Sequence, residues 1–214
     1  LADPVGEVAK ALAQPVGMPP LGELARGRRT ACILICDITR PVPNGLFLQP
    51  LIRQLLDAGV PREGITVLVA TGLHRPNEGD YLVLVYEPAA TAATRSTVGA
   101  FRAPREALRN WLSHERRCRL VEAELKIATG LVEPHFMAGW SGGRKVISPG
   151  IAHAETITTF HNAEFMSNPR AANCVLEGNP LHEEQLAIVE MLGGALALNT
   201  VIDDKRRLAF VNFG

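Results

Sequence analysis

The sequence predicts an α/β fold in which a mostly parallel sheet is flanked by helices. Residues 31–36 and 65–70 are apolar throughout, which is typical of strands that are covered on both faces. Between them, apolar residues recur at helical spacing over residues 45–58, and Gly59 ends the pattern. A helix that joins two such strands is the usual crossover of a parallel sheet, so a Rossmann-like layout is expected.

The remaining elements repeat this alternation. Residues 1–28 are predicted to form an N-terminal helix and a Pro/Gly-rich linker, with Val5, Val8 and Leu12 on the apolar face. Residues 29–214 are then expected to form one α/β catalytic, cofactor-binding domain. Its later predicted elements are a strand at 125–128, helices at 153–161 and 180–192, and strands at 196–202 and 207–213.

One segment, residues 79–118, does not follow the pattern. It is rich in Ala, Arg and Thr and has weak periodicity until a possible helix at 104–113. We treat it as an atypical segment of the domain.

Composition excludes several classes of function. The chain of 214 residues carries 22 basic and 22 acidic residues, so no charge excess indicates binding to nucleic acid or to a membrane surface. No apolar run approaches the roughly 18 residues that span a bilayer, and no secretory signal is visible at the start. Cys32 and Cys36 lie on one face of the first strand and are expected to be buried thiols, which favours a reducing cytoplasm.

Polar residues follow three of the predicted strands. They occupy residues 37–41, 71–76 and 129–135, and each stretch contains a proline, which interrupts a strand. Because ligands of open α/β sheets collect at the carboxyl ends of the strands, these three stretches predict one site.

A glycine-rich stretch at 139–145 is the next candidate. Gly142 and Gly143 allow close approach of backbone N–H groups to an anion, and Arg144 and Lys145 add positive charge. The stretch lacks the Walker A pattern, and the chain has no G-x-G-x-x-G, so ATP hydrolysis and ordinary dinucleotide binding are disfavoured. A flexible loop with solvated charges is the alternative.

Two of the six histidines occupy equivalent places, since His74 and His135 each follow a Thr-Gly pair at the end of a strand. Facing one pocket, they would form an acid/base pair on opposite faces of a substrate. Arg40 and Arg75 are candidates for binding a carboxylate or phosphate, with surface ion pairs as the alternative. No histidine pair has local metal-ligand spacing, and the histidines at 114, 153 and 182 are expected in helical or surface positions.

Four stretches together resemble the nickel-pincer lactate racemase family. They are CDITRPVPN at 36–44, ATGLHRP at 70–76, KIATGLVEPHFMAGWSGGRK at 126–145 and TTFHN at 158–162. The third stretch is long and highly specific. The resemblance covers roughly residues 28–78 and 119–214.

The resemblance implies a cofactor made from nicotinic acid mononucleotide, a pyridinium-3,5-bisthiocarboxylic acid mononucleotide that grips nickel through two sulfur-bearing groups. Lys145 matches the lysine that joins this cofactor through a thioamide, and His161 matches the histidine that completes the nickel coordination. Asp37 matches a carboxylate on the cofactor side. The Ser141, Gly142 and Gly143 backbone is expected to help hold the cofactor and its phosphate end.

The resemblance also implies the reaction, the racemisation or epimerisation of lactate or a related 2-hydroxy acid. His74 and His135 match the two general acid/base histidines, and Arg40 matches an arginine close to the substrate. One histidine removes the hydroxyl proton while the α-hydride moves to the cofactor, and return to the other face of the bound 2-keto acid gives the other enantiomer. The implied partners are the small-molecule substrate and the enzymes that synthesise the pincer cofactor.

This chain departs from the family in two respects, its length and segment 79–118. The family has two domains and about twice this length, so the second domain is missing here. Two other hypotheses therefore stay open: a catalytically silent relative that binds a nucleotide or anion at Gly142 and Gly143 or serves as an interaction domain, and a zinc hydrolase using His74, His135 and His161.

Overall fold

The computed structural model describes residues 1–74, 95–98, 119–152 and 154–214. Apart from residues 95–98, the predicted atypical segment 79–118 with its helix at 104–113 lies outside these residues. Arg75 and the histidines at 114 and 153 also lie outside them. No helix within the described part of the chain is long and apolar enough to span a membrane.

A mostly parallel sheet forms the centre of the fold, as predicted. Its strands are β1 Ala31–Cys36, β2 Ile65–Ala70, β3 Arg95–Val98, β4 Leu125–Leu131, β7 Leu196–Ile202 and β8 Leu208–Phe213, and a separate hairpin contains β5 Pro134–His135 and β6 Gly139–Trp140. The order across the sheet is β3-β2-β1-β4-β7-β8. Only β8 runs antiparallel to its neighbour. The Rossmann-like layout is therefore confirmed for these strands.

Helices cover both faces of the sheet. They are α1 Pro4–Ala13, α2 Leu21–Leu24, α3 Asn44–Asp57, α4 Arg119–Glu122, α5 Gly143–Ile147, α6 Ala154–Phe160, α7 Ala163–Ser167 and α8 Pro180–Met191. The predicted helices at 45–58, 153–161 and 180–192 correspond to α3, α6 and α8. The short helices α2, α4, α5 and α7 have too few residues to show a periodic pattern and were not expected.

Strand β1 divides the core into two layers, because successive side chains of a strand point to opposite faces. Ala31, Ile33 and Ile35 face a layer that contains buried residues of α1 and α3. Cys32 and Leu34 face a second layer, to which α5 and α8 contribute. Cys32 is fully buried, as predicted.

The N-terminal helix α1 packs on the main core. The Asp3 carboxylate accepts a hydrogen bond from the Gly6 N–H at 2.9 Å and so caps the helix. Val8 and Leu12 are buried, as expected, whereas Val5 in the first turn is 55% exposed. The buried face therefore begins one turn later than predicted. The division of the chain at residue 28 stays a prediction.

Strand β4 is longer than predicted and continues to Leu131. Thr129, Gly130 and Leu131 pair with β7, so they belong to the sheet instead of the loop expected at 129–135. The predicted end of the strand at residue 128 was wrong because a threonine and a glycine usually indicate the end of a strand. Here Gly130 is required for packing, since a Cβ at this position would overlap the Gly143 nitrogen.

Candidate active site

One cavity lies at the carboxyl edge of the sheet, next to the point where β1 has β2 on one side and β4 on the other. Its volume is about 350 Å³, which is in the range of small-molecule sites. The loops after β1, β2 and β4 form the walls together with α5 and the residue after α6. Such a switch point is where α/β sheets place ligands.

His74 is held by a buried carboxylate from the neighbouring loop. Its Nδ1 lies 2.6 Å from Asp37 Oδ2, and Asp37 is 4% exposed whereas the side chain of His74 is 53% exposed. The other carboxylate oxygen, Oδ1, accepts the Thr39 hydroxyl at 2.7 Å and the Thr39 N–H at 3.3 Å. The Asp37 contact places the Nδ1 proton toward the carboxylate, so Nε2 of a neutral His74 is the nitrogen that can accept a proton.

His135 has a different partner. Its Nδ1 accepts the backbone N–H of Ala138 at 3.2 Å and that of Met137 at 3.4 Å. A neutral ring therefore carries its proton on Nε2. Nε2 lies 2.7 Å from Nζ of Lys145, and the N–H can donate there only to the lone pair of an uncharged amine. This hydrogen bond therefore requires a neutral histidine and the uncharged form of the lysine.

Burial and neighbouring cations favour this neutral pair. Burial lowers the pKa of Lys145 to about 7, and the positive charge of Arg40 adds to the effect. Burial also lowers the pKa of His135 to about 4, with Lys145 as the next cause. An uncharged lysine amine in a cavity is a nucleophile.

His161 also lines the cavity, directly after α6. Its Nδ1 donates to the Ile157 carbonyl at 2.9 Å. This contact places the lone pair of the neutral ring on Nε2, as in histidines that bind a metal. Burial lowers the pKa of His161, which favours the neutral form that a metal requires.

Arg40 lies at the cavity and forms an ion pair with Glu133, with Nη1 and Oε1 3.6 Å apart. Both side chains are roughly half exposed. The guanidinium therefore remains accessible to an anionic ligand, which would compete with Glu133 for it.

The glycine-rich stretch 139–145 mainly holds the hairpin to the sheet. The Ser141 hydroxyl donates to the Leu131 carbonyl at 2.6 Å and accepts the Glu133 N–H at 2.9 Å. Arg144 donates to the carbonyls of Ala138, Trp140 and Ser141. The predicted anion-binding charge of Arg144 is therefore directed into the protein, whereas Lys145 lines the cavity.

Gly142 and Gly143 each have a structural role that does not involve a ligand. Gly142 has a φ of 126°, a conformation that other residues rarely adopt. The Gly143 N–H donates to Asn199 Oδ1 at 2.9 Å, so this amide is already engaged and does not match the expectation that it approaches an anion. Binding of a cofactor by Ser141, Gly142 and Gly143 stays a prediction.

Comparison with known proteins identifies the family. The sequence profile described as the lactate racemase N-terminal domain matches residues 1–88 and 116–173, more than half of the chain. The chain belongs to the lactate racemase N-terminal domain family. The match includes residues 1–27 and leaves out residues 89–115 and 174–214.

Two curated lactate racemases are similar to this domain. That of Thermoanaerobacterium thermosaccharolyticum is 34% identical over 213 residues, and that of Lactiplantibacillus plantarum is 32% identical over 213 residues. Each comparison covers 94% of this chain and 48% of the relative. The chain therefore spans about half the length of the curated relatives that it matches.

Solved structures show the same fold. The lactate racemase apoprotein from Thermoanaerobacterium thermosaccharolyticum superposes with a TM-score of 0.87 at 31% identity, covering 99% of this chain and 52% of that one. A Thermotoga maritima protein superposes with a TM-score of 0.72 at 18% identity, covering 98% of this chain and 54% of that one. The second likeness concerns the fold alone.

Within this lactate racemase N-terminal domain, the cavity brings together most of the residues that the sequence singled out. Those that line it are Asp37, Arg40, His74, His135, Ser141, Gly142, Lys145 and His161. Their roles stay predictions. Among the described residues, no group of three or more His, Cys, Asp or Glu side chains could hold a metal ion, so His74, His135 and His161 do not form a zinc site.

Sequence reasoning missed three neighbours of these residues. Thr39 and Glu133 lie within the motifs at 36–44 and 126–145. The one feature of the sequence that could have indicated them is their position, Thr39 close to Asp37 and Glu133 close to the hairpin. Cys36 lines the cavity and is only partly buried, unlike the core thiol expected. Burial raises the pKa of the Cys36 thiol to about 12, which makes it a poor nucleophile.

Proposed function

We propose that this chain is the cofactor-attaching half of a racemase or epimerase that acts on lactate or a related 2-hydroxy acid. The observation that carries the proposal is the Lys145–His135 contact of 2.7 Å. The cavity that contains this contact also contains the second histidine, His74, and the lowered pKa of Lys145, about 7, makes its amine partly uncharged and nucleophilic at neutral pH. Membership of the lactate racemase N-terminal domain family supports the proposal.

The residues of the cavity fit the nickel-pincer cofactor. Lys145 has an uncharged amine for covalent attachment, and His161 is oriented with its lone pair on Nε2. A single protein imidazole is suited to a metal whose other ligands come from the cofactor, and soft sulfur with imidazole is a ligand set that nickel accepts. Thr71 lines the cavity, and its buried hydroxyl has no hydrogen-bond partner among the described residues. When bound, the cofactor supplies a hydride acceptor that no side chain provides.

The two histidines hold and move the protons. His74 accepts the hydroxyl proton of one enantiomer at Nε2, and the buried Asp37 carboxylate stabilises the positive ring that results. His135 is the corresponding group for the other enantiomer, but it has backbone N–H groups at Nδ1 in place of a carboxylate. Arg40 binds the substrate carboxylate and exchanges its contact with Glu133 for it.

The silent-relative hypothesis predicts anion binding at the glycine-rich stretch. Its donors are largely engaged within the protein, since Asn199 accepts the Gly143 N–H and loop carbonyls accept from Arg144. The geometry therefore favours attachment at Lys145 over a simple anion-binding loop.

The test is co-expression of the chain with the pincer-synthesis enzymes, followed by intact mass, peptide mapping and metal analysis. We expect an added mass that maps to Lys145, with stoichiometric nickel. Lys145→Met removes the added mass, whereas His161→Ala keeps the mass and loses nickel. Lys126→Met is the matched control, because Lys126 donates to the Ala123 carbonyl away from the cavity. An unmodified, nickel-free wild-type chain contradicts the proposal and favours the silent relative.

A further inference from the structure

Each of the two histidines in the cavity has its own partner, and the partner of His135 is the lysine proposed to anchor the cofactor. The Nε2–Nζ distance of 2.7 Å is a hydrogen bond, not a distant electrostatic contact. The two backbone N–H groups at Nδ1 fix which nitrogen carries the proton. In the unmodified chain, Nε2 is therefore occupied by Lys145.

We propose that Lys145 is also the positioning residue of His135: its free amine holds the Nε2 proton in the unmodified chain, and acylation of Nζ releases this ring for catalysis. The second half of the proposal rests on the proposed function. The first half concerns only residues of the unmodified chain and can be tested without the cofactor.

Acylation removes both features through which Lys145 acts on His135. When the amine condenses with a thiocarboxylic acid, an N–C bond forms and a C–O bond breaks, and the departing hydroxyl takes one Nζ proton to give water. No electron is transferred to an external acceptor. The resulting thioamide nitrogen has no basic lone pair to accept the Nε2–H and carries no positive charge at any ordinary pH. Above pH 7 the uncharged amine accepts the Nε2–H, and below pH 7 the ammonium disfavours a proton on the ring. Acylation removes both effects.

The other charged groups around His135 do not change on acylation. Arg40 from the loop after β1, Arg144 from α5 and His161 after α6 all disfavour a proton on this ring, but each ranks below Lys145 as a cause. Burial, the largest cause, also remains. We therefore expect the loss of the Lys145 amine to raise the pKa of His135 without restoring its ordinary value. Attachment of the cofactor therefore makes a proton on His135 less unfavourable than it is in the unmodified chain.

The experiment is an NMR titration of the histidine rings in the unmodified chain. Spectra are compared for wild type, Lys145→Met and Lys145→Gln, with His135→Asn used to assign the signal. Near the wild-type midpoint of about 4, Lys145 is an ammonium, because its pKa is about 7. We therefore expect the loss of this charge to raise the midpoint of His135 by about one pH unit in both lysine variants. Lys126→Met, which removes a lysine outside the cavity, should leave the midpoint unchanged.

A His135 midpoint that is the same in wild type and in both lysine variants overturns the proposal. So does an equal rise in Lys126→Met, since that would be a general effect of net charge. Two lysine variants are used so that a folding defect in one does not decide the result. Because the titration needs no cofactor, its failure is separable from failure of the mass and nickel experiment.

Discussion

The loops after β2 and β4 place one histidine each at the same cavity, but they hold them in opposite ways. His74, in the loop after β2, has a partner from the loop after β1: the buried Asp37 carboxylate lies 2.6 Å from His74 Nδ1 and leaves Nε2 on the other side of the ring. In the loop after β4, backbone N–H groups occupy Nδ1 of His135 and an amine lies 2.7 Å from Nε2. His74 thus has an anionic partner at Nδ1 and leaves Nε2 for the proton transfer that we propose, whereas His135 has a basic partner at Nε2.

This difference shows that similar sequence context does not give equal chemistry. A racemase needs two groups that exchange protons with comparable ease, one for each face of the substrate. In the unmodified chain the Lys145 amine makes the surroundings of His74 and His135 unequal, and we propose that its conversion to an uncharged linkage makes them more alike. Under the proposed function, attachment of the cofactor would then prepare the acid/base pair as well as supply the hydride acceptor.

The largest expected effect comes from removing either histidine in the cofactor-loaded protein. His74→Ala and His135→Ala should each lower the racemisation rate of lactate by about 10²- to 10⁴-fold, because each removes the proton-transfer group for one face. The control is His182→Ala, since His182 lies on α8 and does not line the cavity. A His135→Ala variant as fast as wild type would remove His135 from the mechanism.

The pH dependence of the free energy of unfolding of the unmodified chain should also reflect the lowered pKa of Lys145. This pKa is about 7 in the folded chain against an ordinary 10.5, so between these values the unfolded chain binds more protons. The free energy of unfolding should then rise with pH across this window, with a slope of at most about 1.4 kcal/mol per pH unit for one group. Below pH 7 both states hold the proton, and this contribution stays at its least favourable value.

Urea unfolding at several pH values across the window measures this slope. Lys145→Met should reduce it and should stabilise the chain near neutral pH, because a buried charge is replaced by an apolar side chain of similar length. Lys126→Met should keep the wild-type slope. An unchanged slope in Lys145→Met would mean that the folded chain holds Lys145 as an ordinary ammonium.

The sequence predicted the sheet better than the chemistry of its loops. Strands 31–36 and 65–70 matched β1 and β2 because continuous apolar runs depend on burial alone. The end of β4 was missed because pairing with β7, a contact with a distant segment, overrides the local signal of Thr129 and Gly130. Likewise, the position of His135 was evident from its motif, but its partner was not, since the contact with Lys145 requires the hairpin and α5 to fold against each other.

A smaller effect is expected from the contacts that orient His74. The Thr39 hydroxyl holds one oxygen of Asp37 at 2.7 Å while the other faces His74. Thr39→Val removes this hydrogen bond, worth about 1 kcal/mol, and should lower the racemisation rate by about fivefold, largely in kcat. Thr39→Ser should restore it. Thr30→Val is the control, because the Thr30 hydroxyl accepts the Glu124 N–H at the other end of β1.

The tautomer of His74 separates this role from a general effect on folding. Long-range ¹H–¹⁵N spectra distinguish a proton on Nδ1 from one on Nε2. We expect wild type and Thr39→Ser to keep the proton on Nδ1 and Thr39→Val to show a mixture. A rate loss with an unchanged tautomer would mean that Thr39 acts on something other than the Asp37–His74 pair.

The smallest effects should come from the Arg40–Glu133 ion pair, whose members have opposite influences on Lys145. Arg40 lowers the pKa of Lys145 and Glu133 raises it, and Arg40 is the stronger cause. Arg40→Met should therefore raise the pH at which Lys145 reacts with an acylating reagent, and Glu133→Gln should lower it by less. Peptide mass mapping of reagent-treated, unmodified chain measures both shifts. Opposite signs are the decisive outcome, because a change in loop structure alone would shift both variants in the same direction. Shifts of the reaction pH in the same direction would mean that Arg40 and Glu133 affect Lys145 through the structure of the loop. The charge at the cavity would then not determine the reactivity of Lys145.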